Sequence, residues 1–275
     1  MKATALSLLF GFTWLLSAVP VAADSPRLAL IIDDLGDRID LDIGMADLPV
    51  PLSCAILPHT PHARRLAGHC RDNGHEVMLH IPLQAVARNE LLGPGRLKMD
   101  MDEPTFRATF RASLASVPGA LGVNNHMGSL LTRHPGAMAW LMEELQEAGL
   151  FFVDSRTTAD SVALDIAREH SVPAGARDVF LDAVRDVEMI EAELDRAIRI
   201  AHITGQAVVI GHPYPETLEV LQRRLPWLET ETGVRLIPMR ELLGIGEDGD
   251  VSAAIRLSEG EDDEQTGTRS AGGGL

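Results

Sequence analysis

Short apolar runs alternate along this chain with longer amphipathic stretches. The runs at 28–32, 52–57, 76–81, 122–125, 150–153 and 207–210 have the length and content of buried strands, with a weaker one at 234–237. Between them, apolar positions at helical spacing predict helices over 61–72, 103–116, 135–148, 159–169, 187–204 and 216–225. Asp102 and Pro104 open the second of these helices, and Gly149 and Gly205 close the third and fifth. Regular alternation of strand and helix is the pattern of a parallel sheet with crossover helices. About seven such units without interruption predict an α/β fold, a single-domain (β/α) barrel, closed or nearly closed, over residues 24–243. Neither a G-x-G-x-x-G nor a P-loop follows any strand, which removes the usual phosphate cradle of the open-sheet alternative.

The two ends of the chain depart from this pattern. Lys2, an apolar run over 3–19 and the small residues Val21, Ala22 and Ala23 make residues 1–23 a candidate signal peptide, which predicts an exported, periplasmic protein beginning at Asp24. An uncleaved membrane anchor is the competing reading, and no later segment is long and apolar enough to span a bilayer. Residues 244–275 are rich in Gly, Ser, Asp and Glu and read as a disordered acidic tail.

Composition narrows the function classes. Of 275 residues, 45% are hydrophobic, enough for a substantial core. The formal net charge of -16 sets the surface against polyanions, so nucleic acid is excluded as the expected partner. Two cysteines, Cys54 and Cys70, are too few to build a disulfide scaffold; a bridge in an oxidising compartment and two independent buried thiols both fit the sequence.

In a parallel barrel, reactive groups gather where the loops after the strands converge. Just past the apolar runs stand Asp33 and Asp34, His80, Asn124, Asn125 and His126, Asp154 and Ser155, and Gly211 and His212. Five polar strand ends on one rim exceed what turns and caps need, because each would otherwise be a costly group beside a core. One carboxylate and two imidazoles make a donor set for Zn²⁺ or a similar divalent cation with room left for water and substrate. A second carboxylate can then take a proton and a further histidine can give one. His59, His62, His69 and His134 fall in loops or on helix faces and are read as solvated, and His75, at the start of a strand, as packing or capping.

These residues resemble a known family. The stretch from Leu30 to Asp34 is similar to the first motif of NodB-like polysaccharide deacetylases, and Gly74, His75, Glu76 and His80 fall as in their second. The closer resemblance is to divergent polysaccharide deacetylases, through Ile31-Ile32-Asp33-Asp34-Leu35-Gly36, Leu79-His80-Ile81-Pro82-Leu83, Asn124-Asn125-His126-Met127-Gly128-Ser129, Phe152-Val153-Asp154-Ser155 and Ile210-Gly211-His212-Pro213. Most NodB-like enzymes carry a second metal histidine four residues after the first, where this chain has Gln84. The resemblance therefore implies that His126 replaces it, giving Asp34, His80 and His126 as metal ligands, Asp33 as base and His212 as acid. It further implies that Asp154 orients His212 or binds substrate, and that Asn124 and Asn125 brace the site or contact substrate.

Two functions follow as expectations. The first is an exported metal-dependent hydrolase that removes acetyl groups from an amino sugar or another envelope glycan. The second is a non-catalytic barrel that binds metal, glycan or an envelope partner; the eight aromatic residues remaining after residue 23 offer few sugar-stacking platforms for it. Adjacent strand residues point to opposite faces, so Asp33 and Asp34 can share one mouth only if the backbone bends between them.

Overall fold

Every strand pairing in this computed structural model, which describes residues 25–246, is parallel. The strands are β1 (Arg27–Leu35), β2 (Ser53–Ile56), β3 (Glu76–Leu83), β4 (Gly122–Met127), β5 (Phe151–Asp154), β6 (Ala174–Ala176), β7 (Val179–Phe180), β8 (Gln206–Gly211) and β9 (Arg235–Leu236). They form one sheet in the order β6-β5-β4-β3-β2-β1-β8-β7, with β9 against the start of β1. The two ends of this path are consecutive in the chain. Only Arg177 and Asp178 separate β6 from β7, so the sheet must curl until its edges are near neighbours. The Arg177 amide donates to the Asp154 carbonyl and the Asp178 amide to the Val208 carbonyl, so this segment leaves β5 and joins β8 within two residues.

The expected barrel of about seven strands is therefore a curled, incomplete barrel, in which β6 and β7 together fill one stave without pairing to each other. Inside it Ala29, Ile31, Met78, Val153 and Ile210 form a small core, completed from below by Ile237, Met239 and Leu242 near the end of the described chain. The larger core, including Leu30, Ile32, Leu79, Phe106, Phe110 and Phe152, lies between the outer face of the sheet and its helices.

Those helices are α1 (Ile39–Ala46), α2 (Ala63–Asp72), α3 (Glu103–Ser116), α4 (Pro135–Ala148), α5 (Ala163–Glu169), α6 (Val187–Thr204), α7 (Pro215–Arg224), α8 (Leu228–Thr232) and α9 (Met239–Leu242). Helices α3, α4 and α6 begin and end where the sequence places them, because their caps are explicit. Asp102, His134 and Asp186 accept from the backbone amides of Thr105, Ala137 and Met189, and Gly149 and Gly205 supply left-handed caps. The sequence gives no sign of α1, which opens after Arg38 without a side-chain cap.

Cys54 on β2 and Cys70 at the end of α2 form a disulfide with a sequence separation of 16, which settles the open question of their pairing. Closing a loop of that length contributes roughly 3 kcal/mol through the unfolded state. The candidate signal peptide and the acidic tail beyond residue 246 lie outside the described residues. Among the described residues, no helix is long and apolar enough to cross a membrane.

Candidate functional site

The bend demanded by the adjacent carboxylates is present. Asp34 takes a left-handed backbone conformation, φ 58°, and the pairing of β1 with β2 shifts register between Ile32 and Leu35. This conformation costs a non-glycine residue about 1–2 kcal/mol, and aspartate is among the residues that accept it. Gly36, at φ 123°, continues the turn where a Cβ would lie 2.2 Å from Thr60 Oγ1, so only glycine fits. Buried Asp42 holds the turn by accepting from the amides of Gly36 and Arg38 at 2.9 and 3.1 Å.

Asp34, His80 and His126 then meet at the mouth. One ligand atom from each lies within 4.8 Å of the others. Asp34 Oδ1 is 2.8 Å from His126 Nδ1 and 3.3 Å from His80 Nε2, yet this buried oxygen has no properly directed hydrogen-bond partner. An orphaned carboxylate oxygen facing two imidazole nitrogens fits a divalent cation, whose coordination uses the lone pairs left without donors. Burial alone would raise the Asp34 pKa, but the contacts with His126 and His80 outweigh it and hold the carboxyl well below its ordinary range.

The orientation of Asn124 sets the tautomer of His80. Its amide Nδ2 donates to Asp33 Oδ1 at 2.6 Å, which leaves Asn124 Oδ1 to face His80 Nδ1 at 2.8 Å. Nδ1 must therefore carry a proton, and Nε2 is directed toward Asp34 and Asp33. Asp33 is 2% exposed, and burial pushes its carboxyl up against the opposing pull of His80 and His212.

His212 enters from the end of β8, with Nε2 4.0 Å from Asp34 Oδ2. Its partner is Asp182, which the sequence reading does not pick out. Asp182 Oδ1 is 2.8 Å from His212 Nδ1, while Oδ2 accepts from the His212 amide at 2.6 Å and from Thr217 Oγ1 at 2.8 Å. Burial works against a charge on His212, but Asp182, with Asp33 and Asp34 beyond it, raises its pKa to about 9. Two aromatic rings pack against it, Phe180 at a centroid distance of 5.0 Å and Tyr214, stacked, at 5.6 Å.

The model of the divergent polysaccharide deacetylase family matches residues 30–243, nearly all of the described chain. The chain belongs to the divergent polysaccharide deacetylase family. It is 35% identical over 210 residues to the uncharacterized protein YibQ of Escherichia coli K12, covering 75% of this chain and 66% of YibQ, a little under two thirds of that protein. It is 37% identical over 203 residues to an uncharacterized protein of Haemophilus influenzae Rd, covering 73% of this chain and 72% of that one. Among solved structures, an uncharacterized protein from Agrobacterium tumefaciens C58 superposes with a TM-score of 0.76 at 24% identity, covering 80% of this chain and 90% of that one. The catalytic domain of a peptidoglycan N-acetylglucosamine deacetylase from Eubacterium rectale superposes with a TM-score of 0.53 at 14% identity, covering 78% of this chain and 89% of that one. At these identities the two structures establish the fold, that of the NodB-like deacetylases.

In this member of the family Gln84 is engaged elsewhere. Its side-chain oxygen accepts from the Met99 amide at 2.7 Å and its carbonyl from Leu130 and Leu131, so it ties loops together. Asp154 does not reach His212 and instead accepts from the Arg156 amide at 2.8 Å in the turn after β5. Asn125 bridges two loops, donating to the Met127 carbonyl at 2.7 Å and accepting from the Ser155 amide at 2.9 Å. Asn124 and Asn125 are buried and engaged with protein groups, which makes them braces and not substrate contacts. Asp182 escapes the sequence reading because it follows β7, whose two residues are too few to show a periodicity.

Proposed function

We propose that this protein is a metal-dependent hydrolase, exported to the periplasm, that removes acetyl groups from an N-acetylated amino sugar or related envelope glycan. The observation that carries the proposal is the orphaned Asp34 oxygen among two histidines, with Asp33 and His212 close by but outside the ligand set. A divalent ion, with Zn²⁺ the best match to one carboxylate and two imidazoles, would be held by Asp34, His80 and His126 and would supply a Lewis acid for the acyl carbonyl and its attacking water.

The remaining chemistry belongs to the chain. Asp33, its pKa raised by burial, accepts the proton of the attacking water, and Asn124 fixes the direction of its carboxylate through the bond to Oδ1. His212 carries its proton on Nε2, toward Asp34, because Nδ1–H is committed to Asp182. It gives that proton to the departing amine as the acyl bond breaks. The Cys54–Cys70 disulfide supports an oxidising compartment, in keeping with the signal-like residues 1–23.

The test combines acetate release from N-acetylated oligosaccharides with metal analysis of the same preparations. Wild type should release acetate and lose this activity to a chelator. Full metal occupancy with no hydrolysis of any acetylated glycan or ester, together with glycan binding, would replace the hydrolase by a binding barrel.

A further inference from the structure

Beside His212 the mouth carries positive charge that the chemistry above does not use. Tyr214, stacked on the His212 ring, has the Arg185 guanidinium 3.6 Å from its centroid and that of Arg38 at 5.5 Å. Both arginines are exposed, and neither forms an ion pair with a described carboxylate, in a chain whose net charge is -16. The acid next to Arg185 in sequence, Asp186, is turned away to cap α6 through the Met189 amide. The Arg38 guanidinium donates once, to the Pro213 carbonyl at 2.9 Å, whereas that of Arg185 has no described hydrogen-bond acceptor.

The contrast with Arg177 is instructive. Arg177 lies over Phe180, the other ring packed against His212, but its Nε and Nη2 donate to the Ser155 and Arg156 carbonyls, so it holds loops and has little left to offer a ligand. Arg185 and Arg38 keep most of theirs. A guanidinium resting on an aromatic face is fixed in orientation while the N–H groups along its edge stay available for a carboxylate. An acidic surface repels anionic glycans at long range, so admitting one requires local positive charge at the mouth.

Resting on the hydrolase reading, we infer that the substrate is an acidic glycan, an N-acetylated sugar with a carboxylate on the same or the neighbouring residue, and that Arg185 and Arg38 are the specificity residues that receive it. The two guanidiniums lie one ring away from His212, on Tyr214, which is stacked against the imidazole.

The probe is an oligosaccharide in which N-acetylglucosamine alternates with glucuronic acid, compared with the same oligosaccharide after reduction of its carboxylates to alcohols. Isothermal titration of wild type should give about tenfold tighter binding of the acidic form, the size expected of one charge-assisted contact. The double variant Arg185→Gln, Arg38→Gln should bring the ratio of the two affinities close to one, and Arg185→Lys, which keeps the charge and loses the fork, should leave an intermediate ratio. Wild type that binds both forms equally, or binds neither, overturns the inference, as does a preference that survives in the double variant. Acetate release from the same pair separates the two readings. A binding preference without hydrolysis of either form removes the hydrolase and leaves the arginine site, whereas hydrolysis without a preference does the reverse.

Discussion

The two ends of the barrel both withdraw carboxylate oxygen from water, and they treat it in opposite ways. At the lower end, Glu76 at the start of β3 accepts from Ser53 Oγ at 2.7 Å and from the Arg240 amide at 3.1 Å, so both oxygens are satisfied and the segment carrying α9 is fastened beneath the sheet. At the mouth, Asp34 Oδ1 is equally removed from water but has no directed donor, and two imidazole nitrogens close in on it. Burial raises the pKa of Glu76 at one end and of Asp33 at the other, so a shifted carboxylate alone does not mark a site. What separates these two carboxylates is satisfaction together with convergence: Asp42 Oδ1 and Asp154 Oδ2 also lack a donor, but the Asp34 oxygen lacks one while facing two imidazole nitrogens, which makes it a place for a ligand.

The sharpest way to break this comparison is to remove one carboxylate at each end. Asp34→Ala should abolish both metal binding and acetate release. Glu76→Gln should retain both and lose about 1–3 kcal/mol of stability, read from denaturant unfolding, because an amide has one acceptor oxygen and would set its NH2 against the second donor. Equal loss of metal in both variants would erase the distinction.

Next in size are the two groups outside the ligand set. Asp33→Asn and His212→Gln should each depress kcat by about 10² to 10⁴ with metal content intact, measured by acetate release and elemental analysis. Loss of metal from either variant would move that residue into the ligand shell.

A smaller effect sharpens the role of Asp182. The His212 pKa is raised to about 9 in the folded protein from its ordinary 6.5, so its pairing stabilises the metal-free fold fully below about pH 6.5, and that stabilisation is lost as pH rises through about 9. Thermal unfolding of chelator-treated protein should show this decline in wild type and a flatter profile in Asp182→Asn. An unchanged slope in the variant would mean that Asp182 does not hold the imidazolium.

Much of this was legible in the sequence where the chain states its structure locally. Caps at Asp102, Gly149 and Gly205 marked three helix ends, and polar residues past the apolar runs marked the mouth. The bend at Asp34 was required by the alternation of side chains along a strand, and its left-handed φ provides it. What stayed hidden depends on tertiary partners. The three residues of β6 and two of β7 are strands only because β5 and β8 pair with them, and with them went Asp182 and the seam of the barrel. Asn125 stands at a strand end as a binding residue would, and only its hydrogen bonds to Met127 and Ser155 reveal it as a brace.

The most direct test of the central claim, that His126 completes the centre from which Gln84 is absent, is elemental analysis of purified wild type beside His126→Ala and Gln84→Ala. The structure predicts about one divalent ion per chain in wild type and in Gln84→Ala, and a metal-free His126→Ala. Full occupancy in His126→Ala, or loss of the ion from Gln84→Ala, would contradict it.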